Sequence, residues 1–484
     1  MQLKPWKLRF LATVLIACMG IGNLFAQGDD TRALIDTMVK KGLLTNQEAA
    51  DVAAQIHKDV EMNSGYKIQL GSWIKTLRIW GDARLRYEYR EGSVPQFTSP
   101  TAINSSPTAA NVAPNTYEDL ERWRWRLRLN TEAVFTDDFK GGLSIEPGSN
   151  PRSANVTFGG NPSTAGGVGG TTVGPFGKGT NGINVSRLYL EWSPAEWVVL
   201  TGGRMANPLF TSTATGGGLV WDPDLNPEGA RETFKYDVTD KLELFSTLAQ
   251  FMYDDKAVDH PPTSATAITG GNDAWLFAEQ FGAKYTFNKD TTLKIAPVLY
   301  VYSGPGDSYT GRFDGTGSGG TSDVAINDLM VVEIPLEFKW HTWGQKFKLF
   351  SDVAVNTEGS ARADAAGRPD KENQNLAYQA GIQWGEAQHK GDWEASAMWQ
   401  HTELYSVDPN LVDSDVFDYR LNLEGLVFDV RHYLTENVWI EVRYARADRC
   451  DNTLPTTATS DFNIATIDPI SKYQLLQCDL NWKF

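Results

Sequence analysis

Arginine occupies every second position of one short stretch of this chain. Residues 122–135 read RWRWRLRLNTEAVF; four arginines followed by Asn130 and Glu132 fall on one parity, and tryptophan, leucine and other mainly apolar residues fall on the other. Successive side chains of a β-strand point to opposite faces, so this pattern predicts a strand with one basic and one apolar face. A row of guanidinium groups beside a low-dielectric wall attracts anions. Electrostatic attraction is therefore the chemistry that these residues could perform.

A second stretch, residues 75–90, repeats the pattern. If the two strands are neighbours, their arginines line one surface with few carboxylates to compensate them, and Arg187 would extend that surface. The alternative is an ordinary polar lining in which acids from loops pair with the arginines. We call this set of side chains the basic wall: Arg78, Arg84, Arg86, Arg90, Arg122, Arg124, Arg126, Arg128 and Arg187.

The sequence carries no pattern typical of an enzyme. None of the six histidines lies in an HExxH motif. Ser246 and Ser396 lie in predicted strands without the G-x-S-x-G turn that exposes a nucleophilic serine. We therefore expect no catalytic residues, no cofactor and no metal site. Cys450 and Cys478 are predicted to lie out of register on neighbouring strands, too far apart for a disulfide.

Composition restricts the class of protein. The chain has 484 residues and a formal net charge of −16, which argues against a nucleic-acid partner. Beyond the N-terminus no run of about 18 apolar residues occurs, so a helical membrane protein is excluded. The 16 tryptophans, 17 tyrosines and 44 glycines fit an all-β protein with aromatic belts and glycine-rich loops.

The N-terminal 65 residues differ from the rest. Residues 1–26 combine Lys4, Lys7 and Arg9 with an apolar core, as expected of a secretory signal peptide; a lipid-modified Cys18 is the rival interpretation. Residues 27–65 are predicted to form a short periplasmic helical segment, because apolar stripes recur there at helical spacing. Residues 66–484 form the third predicted domain.

In this third domain we predict about 16 strands, separated by connections that are alternately short and long. Short turns follow the even-numbered strands, and long loops rich in Gly, Ser, Thr, Asn, Asp and Pro follow the odd-numbered ones. An even number of strands with this alternation is expected of a transmembrane antiparallel β-barrel. Because lipid offers no partner to backbone N–H and C=O groups, the first and last strands must pair.

The last predicted strand ends the chain on alternating side chains, with Trp482 and Phe484 on the apolar face. This ending resembles the C-terminal signature of bacterial outer-membrane barrels that their assembly machinery reads. One predicted strand changes phase, because Leu421 and Leu423 share a face that Leu426 does not. Gly425 lies at this change, which favours a β-bulge there.

The signal peptide, the segment LIDTMVKKGLLTNQEAADVAAQI, the strand pattern and the final Phe484 together resemble the putative-porin families of diderm bacteria. The resemblance covers nearly the whole chain. It implies a general-porin-like barrel in the outer membrane, in contact with lipid, the barrel assembly machinery and small polar or anionic solutes. It also implies a homotrimer as one form of assembly.

In general porins the third long loop folds into the lumen, and its acids face basic residues across a constriction. By position, the resemblance assigns this role to loop 205–229 and its acids Asp222, Asp224 and Glu228, opposite Arg84, Arg86, Arg124 and Arg126. The expected function is a water-filled channel for passive diffusion of small polar solutes or ions, with a preference for anions. The rival is a structural barrel tethered to a periplasmic partner through its helical segment.

Overall fold

The computed structural model describes eight stretches of the chain, and the barrel forms one compact unit from Lys75 to Phe484. The predicted signal peptide and periplasmic helical segment lie outside the described residues, as does Cys18. Among the described residues, no helix is both long and apolar enough to cross a membrane. The described stretches are residues 73–93, 117–148, 154–158, 182–213, 218–254, 273–304, 326–454 and 470–484.

Sixteen antiparallel strands form the barrel, as the sequence predicts. They are β1 Thr76–Ser93, β2 Tyr117–Val134, β3 Phe139–Gly148, β4 Gly182–Ala195, β5 Val198–Arg204, β6 Glu228–Thr239, β7 Leu242–Asp254, β8 Ala274–Asn288, β9 Thr291–Ile295 with Val298–Ser303, β10 Met330–Glu333 with Leu336–Thr342, β11 Gln345–Asn356, β12 Leu376–Gly385, β13 Trp393–Thr402, β14 Leu423–Tyr433, β15 Val438–Arg449 and β16 Lys472–Lys483.

The smaller elements lie in the connections. A two-residue segment, Val156–Thr157, adds to β2 beyond the end of β3. Helix α1 spans Gly359–Ala365 and precedes a 3₁₀ turn at Pro369–Lys371, and helix α2 spans Ser414–Phe417. All of these elements follow odd-numbered strands, so the predicted alternation of short turns and long connections is confirmed.

Two neighbouring strands, β9 and β10, are interrupted at the same level of the barrel. Proline has no backbone N–H to donate to the ladder. Pro297 lies in the interruption of β9 and Pro335 in that of β10. The Ala296 N–H donates to the Pro335 carbonyl oxygen at 3.1 Å, which holds the two strands together across the break.

The barrel closes between its first and last strands. β1 pairs with β16 in antiparallel register over twelve positions, from Asp82 opposite Lys483 to Ser93 opposite Lys472. Gly81 and Phe484 extend this seam, since each donates its N–H to the carbonyl oxygen of the other, at 2.9 and 3.0 Å. Closure leaves no unpaired strand edge toward lipid, which is the requirement that predicted it.

The two faces of the strands separate as the alternation predicts. Large apolar side chains such as Leu85, Leu127, Leu188 and Phe281 are exposed on the outside. The opposite parity turns polar side chains such as Arg86 into the barrel, where they are buried. An apolar outer band and a polar interior are the arrangement of a transmembrane barrel.

The predicted β-bulge at Gly425 is wrong. β14 pairs with β13 and with β15 in continuous register through this position. Leu421 and Leu423 are both fully buried inside the barrel, because the interior at this end is packed with apolar side chains from the loops. The apparent change of phase therefore marks an apolar interior and no change in register.

Gly425 is needed for close packing of strands, and we expect Gly425→Ala to destabilise the barrel. A Cβ at this position would lie 1.9 Å from the Arg446 carbonyl oxygen, so the backbone must shift. Overpacking of this kind costs about 1–3 kcal/mol. Urea unfolding of the barrel in micelles measures the change. Gly202→Ala is the matched control, because a Cβ there meets no atom within 4 Å; equal stabilities of the two variants would contradict the prediction.

Candidate pore and constriction

The arginines of β1 and β2 lie side by side inside the barrel. In the register of the two strands, Arg84 is opposite Arg126 and Arg86 is opposite Arg124. The basic wall predicted from two separate stretches of sequence is thus one continuous surface. Like charges directly opposite each other are destabilising, so such a surface needs compensating groups.

Carboxylates of the same strand supply part of the compensation. Glu88 is fully buried, and its Oε1 lies 3.0 Å from Arg90 Nε and 2.6 Å from Arg122 Nη2. Asp82 lies 3.1 Å from Arg126 Nη2 and 2.9 Å from Arg128 Nε. Glu88 therefore joins an arginine of its own strand to one of β2, and Asp82 holds two arginines of β2.

A further carboxylate comes from the closing strand. Asp479 of β16 accepts from Arg86 at 2.8 Å and lies 3.4 Å from Arg84. The expectation that the basic wall has few compensating carboxylates is therefore wrong. Closure of the barrel brings this acid, 393 positions away in sequence, against Arg86.

The loop after β13, residues 403–422, folds into the barrel and pairs with the basic wall; we call it loop B. Its Asp415 lies 2.8 Å from Arg86 Nη1, and its Asp418 lies 2.5 Å from Arg90 Nη1. We call these two ion pairs the loop B clamp. Asp418 and Arg90 are fully buried, so loop B covers this end of the wall.

The loop after β5, residues 205–227, lies across the interior and contacts the opposite side of the barrel; we call it loop A. The Ser212 hydroxyl donates to the Leu336 carbonyl oxygen at 2.5 Å, and Gln379 Nε2 donates to the Ser212 carbonyl oxygen at 2.8 Å. Trp221 is 3 % exposed and packs against Phe251 of β7. The third long loop of the sequence therefore folds inward.

Loops A and B meet inside the barrel. The Asp222 N–H donates to the Leu411 carbonyl oxygen at 2.6 Å, and the Ser414 N–H donates to Asp222 Oδ2 at 3.4 Å. Burial raises the pKa of Asp222 well above its ordinary value, and the neighbouring carboxylates Asp413 and Asp224 raise it further. The two loops together therefore connect the basic wall to the opposite side of the barrel.

The basic wall divides into a covered and an open part. The side chains of Arg86 and Arg90 are 3 % and 0 % exposed, whereas that of Arg128 is 30 % exposed. Next to the open part lies a cavity of about 600 Å³, lined by Glu146, Asn184, Arg204, Trp221, Asp224 and Asn226 among others. Arg128 is therefore open to solvent, whereas Arg86 and Arg90 are covered.

A family comparison identifies the fold. Residues 50–307, more than half of the chain, match the family described as putative porin. The chain belongs to this porin family. It forms a porin channel, is located in the outer membrane and contacts membrane lipid and solutes. Family and fold are those of a channel, not those of an enzyme.

Two solved structures resemble the porin. The anion-selective porin from Comamonas acidovorans has 10% sequence identity and a TM-score of 0.42; the alignment covers 84% of this chain and 99% of that one. The outer membrane channel DcaP of Acinetobacter baumannii has 10% identity and a TM-score of 0.40, with 87% and 99% covered. No curated protein matches this chain.

The expected constriction acids of the porin separate in the structure. Asp224 lies 3.9 Å from Arg126 and 3.7 Å from Arg128. Asp222 instead faces loop B, and Glu228 begins strand β6, where it pairs with Arg204 at 2.9 Å. These positions differ because loop A ends at residue 227 and turns its first acid away from the basic wall.

The other residues that the sequence analysis of the porin named lie in three different parts of the barrel. Arg78 lies near the other end of β1 from the loop B clamp, with its guanidinium 4.7 Å from the Trp80 ring. Arg187 Nε donates to Asn226 of loop A at 2.7 Å. Trp482 lies in β16 opposite Ala83, next to the closing residue Phe484.

Sequence reasoning did not find the acids of loop B. A signal was present, because residues 411–418 read LVDSDVFD and alternate apolar residues with acids. In a solvated loop, apolar residues such as Val416 and Phe417 would remain exposed; here both are buried inside the barrel. Such a mixture in a predicted extracellular loop indicates a loop that folds inward.

Proposed function

We propose that this porin passes small polar solutes and ions through a path between loop A and the open part of the basic wall, with a weak preference for anions. The observation that carries the preference is Arg187, which donates to Asn226 beside the cavity. Among the described residues Arg187 forms no salt bridge, whereas Asp224 balances Arg126 and Arg128. Arg187 is therefore a cation beside the path without a direct ion pair to any described residue, and Glu146 in the cavity lining offsets part of its charge, which keeps the preference weak.

The electric field along the path comes from a few residues and not from the whole basic wall. Arginines that are buried and paired with carboxylates contribute little net potential to water in the lumen. Arg128 and Arg187 on one side and Asp224 and Glu146 on the other give a field across the path, which orients dipolar solutes. The preference for anions is consequently modest.

The ion selectivity of the channel should change when a single charge at this site is removed. We expect Arg187→Gln to shift the reversal potential in a salt gradient toward cations and Asp224→Asn to shift it toward anions. One charge at about 4 Å contributes about 1 kcal/mol in a watery environment, or about a fivefold change in the permeability ratio. Planar-bilayer recordings measure this ratio.

The control for this measurement is Arg368→Gln. It removes the same charge from an exposed connection after β11, where Arg368 pairs with Asp370. Its reversal potential should equal that of the parent. A shift of Arg187→Gln no larger than the shift of this control would contradict the proposed site.

We also propose that Trp482 and Phe484 are read by the barrel assembly machinery and that the porin assembles as a homotrimer. The Phe484 ring is 58% exposed at the end of the closing strand, where another protein can contact it. Pull-down of the unfolded chain with assembly components tests the first part. The mass of the purified porin in micelles tests the second.

A further inference from the structure

Three potential metal ligands come together on the outer face of the barrel, at the ends of strands that carry long loops. His401 lies near the end of β13, Glu424 near the start of β14, and Cys450 directly after β15. The register places His401 opposite Glu424. His401 has the parity of the exposed Trp399 and Glu424 that of the exposed Leu426, so both face outward.

We propose that His401, Glu424 and Cys450 bind a divalent cation of the zinc class. Their ligand atoms all lie within 4.8 Å of one another, and among the described residues this is the one group of three such side chains so placed. An imidazole, a thiolate and a carboxylate are the ligands that zinc takes in proteins. Motif spacing does not reveal the site, because its ligands are 23 and 26 positions apart in sequence.

The distances between the ligand atoms fit a tetrahedral ion. Cys450 Sγ lies 3.6 Å from His401 Nδ1, and Glu424 Oε2 lies 2.9 Å from the same nitrogen. With zinc–sulfur and zinc–nitrogen bonds of about 2.3 and 2.0–2.1 Å, a tetrahedral site separates sulfur from nitrogen by about 3.6 Å. An ion therefore fits after small movements of the carboxylate alone.

The second nitrogen of the imidazole faces a carboxylate, as in known metal sites. His401 Nε2 lies 3.6 Å from Glu403 Oε1, and the other oxygen of Glu403 accepts from the Leu376 N–H at 2.7 Å. The Tyr378 ring stacks on the imidazole at 4.9 Å between centroids. A carboxylate beyond the ring orients a ligating histidine and leaves Nδ1 for the metal. Glu403 is thus a positioning residue.

The site is accessible to an ion from water. The side chain of Glu424 is 36% exposed, while that of His401 is 15% exposed. A histidine with two carboxylates would by itself be an ion pair; the thiol adds the soft ligand that selects zinc over calcium or magnesium. Bound metal would join three consecutive strands at the rim of the barrel, independently of what passes through the pore.

The test uses the full-length porin in detergent micelles, with and without zinc chloride. We expect elemental mass spectrometry to find about one zinc ion per chain after excess ions have been removed, because one three-ligand site binds one ion. Zinc should also slow maleimide labelling of Cys450, mapped by peptide mass, at least about tenfold, and EDTA should restore it, because the free thiolate is the nucleophile.

The variants separate a metal site from an ion pair. Cys450→Ser and His401→Ala should lose the zinc, while Cys478→Ser should keep it, since Cys478 lies on β16 away from the cluster. Equal zinc content in the parent and Cys450→Ser would overturn the proposal. If Cys450→Ser fails to fold, labelling of the parent decides: an unchanged rate with zinc overturns it, and protection reversed by EDTA supports it.

Discussion

Asp418→Asn is expected to release loop B from the basic wall and to raise the single-channel conductance. Asp418 lies 2.5 Å from Arg90 Nη1 and 3.3 Å from Arg420 Nε, and all three side chains are fully buried. Removing one partner of a buried ion pair costs up to about 3–5 kcal/mol. Arg90 keeps Glu88 at 3.0 Å in this variant, whereas Arg420 loses the Asp418 carboxylate, so we expect a cost near the lower end of that range. A cost of about 3 kcal/mol shifts the docked and released populations of the loop roughly a hundredfold.

Asparagine is the substitution that isolates the charge. Asp418 has a φ of 59°, in the left-handed region, which asparagine tolerates better than alanine. The variant therefore keeps the backbone of loop B and loses only the carboxylate. Conductance should rise and current fluctuations should become more frequent, because a loop that covers part of the lumen is no longer fixed.

Planar-bilayer recordings measure both quantities. The control is Asp370→Asn, which removes an exposed carboxylate that pairs with Arg368 in the connection after β11 and should leave the traces unchanged. If Asp418→Asn gives the conductance and the fluctuations of the parent, loop B is not held by the clamp.

The strands could be predicted because their signal is local. Each strand of a barrel alternates between lipid and lumen, so parity is visible within ten residues. All sixteen predicted strands exist, and the two that are interrupted contain Pro297 and Pro335. The β-bulge predicted at Gly425 is the exception. That prediction assumed that all side chains facing the interior of the barrel are polar, whereas Leu423 packs in an apolar part of the interior.

The arginines of the basic wall could be found from sequence, but their partners could not. Arg86 and Asp415 are 329 positions apart, and nothing in either stretch indicates the other. Their contact requires closure of the barrel and the inward fold of loop B together. A row of arginines in a sequence therefore predicts where the positive charges lie. Only the fold shows how many of them are exposed to water in the lumen.

The contact between loops A and B should respond to pH, and Asp222→Asn should remove most of that response, leaving the part that comes from Asp413. Burial raises the pKa of Asp222, and Asp413 and Asp224 raise it further. Burial also raises the pKa of Asp413, with the Asp415 carboxylate adding to it. Both acids therefore favour the neutral form where the loops meet.

The sign follows from these shifts. An acid whose pKa is raised by docking is more stable docked when protonated, so the contact is strongest at low pH and weakens as pH rises through the raised pKa. Asp415 behaves oppositely: burial raises its pKa, but Arg86, Arg84 and Arg443 lower it overall, to well below its ordinary 3.8. The Asp415–Arg86 pair of the clamp thus stays charged between pH 7 and pH 5, while the loop contact strengthens.

We therefore expect fewer current fluctuations as pH falls from about 7 to about 5, by up to about tenfold for each pH unit, since one proton taken up on docking contributes about 1.36 kcal/mol per unit. Asp222→Asn keeps the side-chain oxygen that accepts from the Asp224 N–H at 2.8 Å and carries no charge. Its fluctuations should be rare at every pH in this range, like those of the parent at low pH. Planar-bilayer recordings from pH 5 to pH 7 compare the frequency of current fluctuations in the parent and the variant. If this frequency changes with pH in the variant as it does in the parent, the buried carboxylate of Asp222 does not control the contact.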